Sequence, residues 1–210
     1  MGFFTLTKIL EERESPINGK ISVIKSLALG TYIQVENLTQ SGGVVYEVWK
    51  SALRKIRSKK PKLEKVLILG LGGGSAAKIV QKLWPKVDIT GVDIDSVMVE
   101  LGKKYLGLGG VKIIEEDAEN YLKNLNLKKK KFDLILVDLY VGDTVPEKFD
   151  SPSFIENIKG ALFPGGIAVF NRLYYGEKRK VAVKFAVKLE KSFSRVEYFY
   201  PEANVMFITS

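Results

Sequence analysis

Short apolar runs alternate with amphipathic stretches along most of the chain, from Lys65 to Ser210. Each run has the length of a buried strand, and the stretches between runs space apolar residues three and four positions apart, as in a helix packed on one face. This alternation predicts a parallel sheet covered by helices on both faces. The predicted strands are Lys65 to Gly70, Val87 to Asp93, Val111 to Glu115, Phe132 to Asp138 and Gly166 to Asn171. The predicted helices are Gly74 to Trp84, Ser96 to Tyr105, Ala118 to Asn124, Ser153 to Ala161 and Glu177 to Lys191.

Two further apolar runs close the chain, Arg195 to Phe199 and Val205 to Ile208. The link between them is too short for a crossover helix, so we expect these runs to pair as antiparallel strands.

The N-terminal part has a different pattern of short strands separated by turns. The predicted strands are Phe3 to Leu10, Lys20 to Leu27 and Thr31 to Glu36, with a hairpin signal at Asn18-Gly19. Apolar residues from Tyr46 to Ile56 then follow helical spacing and predict a helix from Val45 to Arg57. The expected organisation is a β region (residues 1–44), a linking helix (45–64) and a larger α/β domain (65–210).

Composition excludes several kinds of chemistry. The chain has no cysteine and no histidine, which excludes disulfides, thiolate nucleophiles, Cys/His zinc sites and imidazole bases. We therefore expect no metal site, and a reaction that uses a donor arriving already activated.

The chain carries 33 Lys and Arg against 24 Asp and Glu, a formal net charge of +9. The dense runs Lys50 to Lys62 and Lys128 to Lys131 favour a solvated basic surface, and polyanion binding is the alternative. No apolar run approaches the roughly 20 residues of a membrane span, and the N-terminus lacks the pattern of a signal peptide. The expected location is the cytoplasm, with no membrane partner.

The strongest local motif is the glycine-rich turn in Val66 to Ser75, VLILGLGGGS. Glycines allow a tight turn and a close ligand approach, and the amides at the following helix start attract anionic groups. Only the first half of the dinucleotide-binding pattern G-x-G-x-x-G is matched, because Ser75 stands at the third glycine. A tight turn without a ligand is the alternative interpretation.

Aspartates end or follow three further predicted strands. Asp93 lies roughly 20 residues beyond the glycines, the spacing of an acid that binds a ribose diol, whereas Asp95 is expected to cap a helix. Asp117 and Asp138 come at the ends of the next two strands. Because carboxyl ends of parallel strands share one edge of a sheet, Gly70 and these aspartates are expected to meet in one crevice.

From Lys20 onward the chain resembles the class I S-adenosylmethionine-dependent transferases, and among them the spermidine-synthase-like group. The similarity rests on the LGLGGGS turn and on the segments GVDID, EEDAENYL and VDLYVGDTVPEKFDSPSFIENIKGALFPGGIAVFN. It implies a Rossmann-like class I methyltransferase fold, a parallel sheet with a C-terminal antiparallel strand, preceded by a small N-terminal β-hairpin region. It also implies a homodimer.

The resemblance assigns S-adenosylmethionine, or its decarboxylated form, to a set of binding residues. These are Gln40, Gly70, Gly72, Gly73, Asp93, Asp117 and Ala118. Asp138 would position or deprotonate the nucleophile, and Tyr46, Tyr140 and Asp143 would bind the acceptor. Tyr46 also begins an apolar helix stripe, so a purely structural role is the alternative. The connection Leu139 to Ser151 would close over the site.

Two departures from the group's pattern bear on the donor. Gly73 stands where the group usually has an acid, and Asp138-Leu139-Tyr140-Val141 keeps only the first aspartate of D-S/T-S-D. These changes favour an intact donor and methyl transfer to a small amine-type acceptor. Aminopropyl transfer from decarboxylated S-adenosylmethionine is the alternative.

Three other functions remain open. A nicotinamide dehydrogenase would use the same turn and Asp93, but no catalytic His or Lys follows the fourth strand. A nucleic-acid methyltransferase fits the charge but not the DLYV segment. A nucleoside-binding module without catalysis is the third.

Overall fold

A computed structural model describes residues 7–127 and 130–210 of the chain, which form two sheets. The first sheet is antiparallel, with strands in sequential order. Its strands are β1 (Thr7–Ser15), β2 (Gly19–Ser26), β3 (Gly30–Val35) and β4 (Leu38–Gly42). The predicted hairpin at Asn18-Gly19 is confirmed, and Gly19 has the left-handed φ of 62° that such turns favour.

The N-terminal prediction differs from the structure at two places. The short strand β4 carries polar residues at its centre and so has no apolar alternation to reveal it. The start of the predicted strand Phe3 to Leu10 lies outside the described residues, and β1 continues to Ser15. Lys128 and Lys129 of the second basic run also lie outside the described residues.

The second sheet has seven strands in the order β10-β11-β9-β8-β5-β6-β7. They are β5 (Lys65–Leu69), β6 (Asp88–Asp93), β7 (Lys112–Glu115), β8 (Phe132–Val137), β9 (Leu162–Leu173), β10 (Val196–Phe199) and β11 (Asn204–Thr209). Strands β5 to β9 are parallel, and β11 runs antiparallel to both β9 and β10. The predicted parallel sheet and the antiparallel pairing of the closing strands are therefore confirmed.

Helices cover both faces of this sheet, as the alternating pattern predicted. They are α1 (Gly43–Lys59), α2 (Ser75–Leu83), α3 (Ser96–Leu101), α4 (Ala118–Leu127), α5 (Pro152–Gly160) and α6 (Lys178–Ser192). A π-helical turn (Gly102–Leu106) extends α3. One core lies between the sheet and α1 and α2, and a second lies between the sheet and α4, α5 and α6.

A third, smaller core joins the two sheets. Ile21 and Ile33 of the first sheet pack against Met98 and Leu101 of α3. Burial of these apolar side chains holds the β1–β2 turn over the carboxyl edge of the parallel strands. Within residues 7–127 and 130–210, no helix has the length and hydropathy needed to cross a bilayer.

Candidate functional site

A cavity of about 270 Å³ opens at the carboxyl edge of the parallel strands. Gly70, Asp93, Asp117 and Asp138, the residues that end or follow four strands, all line it. Parallel strands place their carboxyl ends on one edge, so this convergence follows from the topology.

Close backbone contact explains the glycine at position 70. Its φ is 83°, and a Cβ atom there would lie 2.1 Å from the backbone carbonyl oxygen of Asp138. Gly72 also has a left-handed φ of 54°, and its amide donates to Asp93 Oδ2 at 2.6 Å. The turn therefore brings backbone to the cavity wall at a place where larger residues do not fit.

Gly73 does not line the cavity, in contrast to its predicted role in donor binding. It packs against the π-helical turn, where a Cβ atom on Gly102 would lie 2.6 Å from the Gly73 Cα. A Cβ atom on Gly73 itself would lie 2.9 Å from side-chain atoms of Ile33, Leu106 and Ser41. Position 73 thus serves packing between the sheets and points away from the cavity.

Asp93 and Asp95 have separate roles. Asp93 accepts hydrogen bonds from the amides of Gly72 and Asp95, and burial, helped by the nearby Asp95 carboxylate, raises the pKa of Asp93. Asp95 caps α3, as predicted, by accepting from Val97 N at 3.0 Å and Met98 N at 3.2 Å.

Hydrogen bonds to Asp95 hold the β1–β2 turn of the N-terminal sheet beside the cavity. The Ser15 hydroxyl and the Asn18 side-chain amide donate to Asp95 Oδ2 at 2.6 and 2.7 Å. Ile17 and Asn18 line the cavity as a result. The β1–β2 turn is therefore part of the site wall.

Asp117 lies at the start of α4 and caps it through the amides of Glu119 and Asn120. Its other oxygen accepts from Lys148 Nζ at 2.6 Å. Burial, the largest single influence, would raise the pKa of Asp117. The hydrogen bond and charge of Lys148 and the two capping amides together outweigh it, so the pKa is lowered. Ala118, the next residue, also lines the cavity.

Asp138 directly follows β8, and both its carboxylate oxygens are hydrogen-bonded. Trp49 Nε1 donates to Oδ2 at 2.7 Å, and Asn171 Nδ2 donates to Oδ1 at 2.8 Å. Burial raises the pKa of Asp138, while these donors and the charge of Arg172 act in the opposite direction.

A second cavity of about 270 Å³ adjoins the first. Gln40, Val45, Asp138 and Tyr140 line both cavities, so Asp138 lies on the wall between them. The residues of the second cavity alone are Asn37, Leu38, Thr39, Val44, Val48, Asn171, Leu173, Tyr175, Glu202, Ala203 and Asn204.

The loop after β8 is held from several sides. Gln40 Nε2 donates to the Gly142 carbonyl at 2.8 Å, and the Tyr140 hydroxyl accepts from Leu173 N at 2.8 Å. Asp143 does not line either cavity: its carboxylate pairs with Lys178 at 2.8 Å on the outer surface. The predicted place of Asp143 in acceptor binding is therefore not supported.

Tyr46 lies outside both cavities, unlike its predicted place beside the acceptor. Lys82 Nζ donates to its hydroxyl at 3.1 Å, and Lys50 and Lys82 lie over its ring. One residue turns a helix by about 100°, so the preceding residue, Val45, faces the cavities instead.

Several residues of the site or close to it were missed in the sequence. Trp49 belongs to an apolar helical stripe, which predicts core packing. This pattern gives no indication that the indole N–H donates a hydrogen bond to Asp138. Asn171 and Arg172 are polar residues at the end of a strand, the same signal that identified the aspartates. Lys148 carried no signal, because a lysine in a loop is usually solvated.

Comparisons with known proteins find a matching family model and similar sequences. The family model described as spermine/spermidine synthase domain matches residues 53–204. The polyamine aminopropyltransferase of Vibrio vulnificus (strain CMCP6) is 33% identical over 114 residues, 53% of this chain and 38% of that protein. The eEF1A lysine and N-terminal methyltransferase of Homo sapiens is 29% identical over 118 residues, 50% of this chain and 17% of that protein.

Solved structures share the fold. A crystal structure of spermidine synthase in complex with the transition state analogue AdoDATO has a TM-score of 0.77 at 18% identity, over 96% of this chain and 72% of that one. The expected Rossmann-like fold is confirmed. The chain spans less than half the length of the two curated relatives described above.

Proposed function

Because the chain belongs to the spermine/spermidine synthase family, we propose that it transfers the aminopropyl group of decarboxylated S-adenosylmethionine to a small amine. The relatives favour this function, the alternative in the sequence analysis, over methyl transfer. The preference for methyl transfer rested on Gly73 and on the Asp138-Leu139-Tyr140-Val141 segment; of these two grounds the first is weakened, because Gly73 does not line the cavity.

The distribution of charge in the first cavity carries the proposal. Four carboxylates line it, those of Asp93, Glu116, Asp117 and Asp138. Lys148 is the single cation among the described lining residues, and it pairs with Asp117, away from Asp138. An intact donor would bring its carboxylate into this acidic cavity, which is electrostatically unfavourable, whereas the charged groups of a decarboxylated donor are all positive.

The residues of the first cavity fit a nucleoside with a sulfonium tail. Asp93 has carboxylate lone pairs beyond the two amide bonds it accepts, which suits a ribose diol. Asp117 and Ala118 would meet the adenine at the other side of the cavity. Gly70 and Gly72 would border the tail with backbone atoms, and Gln40 lies where the two cavities meet.

The second cavity would hold the amine acceptor, with Asp138 between acceptor and donor. When bound, the donor supplies a carbon attached to a positively charged sulfur, which accepts the bonding pair and leaves as a neutral thioether as the amine nitrogen bonds to that carbon. An amine with a pKa of about 10.4 must lose a proton to attack, at a cost of roughly 4.6 kcal/mol at neutral pH. Asp138 would accept that proton, directly or through water.

A direct assay tests this function. The purified chain is incubated with decarboxylated or intact S-adenosylmethionine and a panel of monoamines and diamines, and products are identified by mass spectrometry. We expect methylthioadenosine and an aminopropylated amine from the decarboxylated donor only. Formation of S-adenosylhomocysteine and a methylated amine would show methyl transfer instead, and Asp138→Asn serves as the background control.

A further inference from the structure

The carboxylate of Asp138 is held on both oxygens before any substrate binds. Trp49 donates to Oδ2 and Asn171 donates to Oδ1, at 2.7 and 2.8 Å. The Asp138 amide also donates to the Leu69 carbonyl at 2.8 Å, which fixes the backbone. A carboxylate has about four lone-pair directions, so these contacts decide where the remaining two point.

The two donors come from distant segments, and each is itself fixed. Trp49 lies on α1 and is 1% exposed, on the N-terminal side of the region matched by the family model. Asn171 is 5% exposed at the end of β9, and its Oδ1 accepts from Asn204 Nδ2 at 2.8 Å. That last bond decides which end of the Asn171 amide faces Asp138. Turning either donor away would leave a buried polar group unpaired, which is unfavourable.

Neither donor titrates near neutral pH, so the direction of the carboxylate depends on no second ionisation. Arg172 influences Asp138 through space, because its guanidinium binds Asp150 and the Asn171 carbonyl, each at 2.8 Å. The titratable or charged groups that share the cavities with Asp138 are Asp93, Glu116, Asp117, Tyr140, Lys148, Tyr175 and Glu202.

We propose that Trp49 and Asn171 are positioning residues: they hold the Asp138 carboxylate so that its free lone pairs face the bound amine. The role of the carboxylate as proton acceptor rests on the proposed function. Its orientation rests on the hydrogen bonds from Trp49 and Asn171. Both hydrogen bonds favour the charged form and lower the pKa of Asp138, against the rise caused by burial. Loss of either donor therefore releases the carboxylate and raises its pKa further.

The first experiment needs no turnover. The carboxyl carbons of aspartate are labelled with ¹³C, and the ligand-free protein is titrated by NMR, with Asp138→Asn identifying the Asp138 signal. We expect Asp138 to titrate at higher pH in Trp49→Phe and in Asn171→Leu than in the unaltered chain. Trp84→Phe is the matched control, because it removes an indole N–H that donates to the Lys60 carbonyl at 3.0 Å. This control should leave the Asp138 titration unchanged.

A milder variant keeps the test decisive if Asn171→Leu does not fold. Asn204→Ala retains both donors to Asp138 and removes only the bond that orients the Asn171 amide. We expect a smaller shift in the same direction. An unchanged Asp138 titration in folded Trp49→Phe and Asn204→Ala overturns the proposal, as does an equal shift in Trp84→Phe.

Kinetics separate this proposal from the proposed function. If the chain transfers an aminopropyl group, Trp49→Phe should lower kcat roughly tenfold or more, change donor affinity less than it changes kcat, and move the acid limb of kcat/KM to higher pH. Unaltered kcat and pH profile in that variant overturn the positioning role. If the NMR titrations shift as expected but the chain consumes neither form of the donor, the proposed function is refuted. The hydrogen bonds that hold Asp138 are still established in that case.

Discussion

The carbonyl oxygen of Asp138 lies 2.1 Å from the point that a Cβ atom on Gly70 would occupy. The contact joins the end of β8 to the glycine turn after β5. It therefore sets the distance between Asp138, the proposed proton acceptor, and the backbone of the turn that lines the proposed donor cavity. A methyl group at position 70 cannot be accommodated without moving one of the two segments.

Gly70→Ala should therefore weaken both folding and donor binding. Its φ of 83° adds strain of about 1–3 kcal/mol for a residue with a side chain. Urea unfolding and calorimetric titration with methylthioadenosine measure the two effects. Gly109→Ala is the control, because a Cβ atom there meets nothing within 4 Å, and its stability should stay within about 0.5 kcal/mol. Equal behaviour of the two variants would contradict the close-contact explanation.

Substitutions of Asp138 and Asp93 should have different effects: the first should lower the transfer rate, and the second should weaken donor binding. Asp138→Asn removes the proton acceptor, so the transfer rate should fall by about 10²–10⁴ while donor affinity changes little. Asp93→Ala removes hydrogen-bond acceptors for the ribose, so mainly the Kd of the donor should rise, by roughly tenfold or more. Single-turnover rates and calorimetry distinguish the two. Small and equal effects would defeat this assignment of roles.

The Lys148–Asp117 pair should make stability depend on pH in one direction. Against the rise caused by burial, Lys148 and the capping amides of Asn120 and Glu119 together lower the pKa of Asp117 below its usual 3.8 in the folded chain. The stabilisation is therefore present above the unfolded pKa and is lost as pH falls through the lower folded value. Lys148→Met should cost about 0.2–1 kcal/mol at neutral pH and nothing at strongly acidic pH, measured by urea unfolding.

Lys78→Met is the control for that pair. Lys78 donates to the Leu106 carbonyl at 3.1 Å, a partner that does not titrate. Its stability difference from the unaltered chain should stay constant over the same acidic range. A constant difference for Lys148→Met as well would show that the Asp117 contact contributes nothing.

Glu202 should contribute to the choice of acceptor. It lines the second cavity, which also contains Asp138, and its backbone has a left-handed φ of 51°. Such conformations are strained for glutamate and concentrate at functional sites. Glu202→Gln should raise KM for diamines by roughly twofold to fivefold and leave monoamines unaffected, because an exposed carboxylate attracts a second cationic group only modestly.

Glu36→Gln is the matched control, because Glu36 has the same φ of 51° but lines neither cavity. Its KM values should equal those of the unaltered chain. If Glu202→Gln changes KM for monoamines and for diamines by the same factor, Glu202 does not bind the second cationic group of a diamine.

The aspartates of the site were predictable because their position is a consequence of topology. Once apolar runs alternate with helices, the sheet is parallel, and Asp93, Asp117 and Asp138 must reach one edge. The hairpin at Asn18-Gly19 was equally local, since a two-residue signal is sufficient for it.

The sequence by itself determined the order of strands and helices, the glycine turn and the acids at the strand ends, because these depend on periodicity and on residues close in the chain. The tertiary structure alone decided that Trp49 and Asn171 bind Asp138, that Tyr46 faces outward, and that Gly73 packs between the sheets. Those contacts join segments far apart in the chain. A one-residue step on a helix turns a side chain by about 100°, and only the packing of the whole chain sets that rotation.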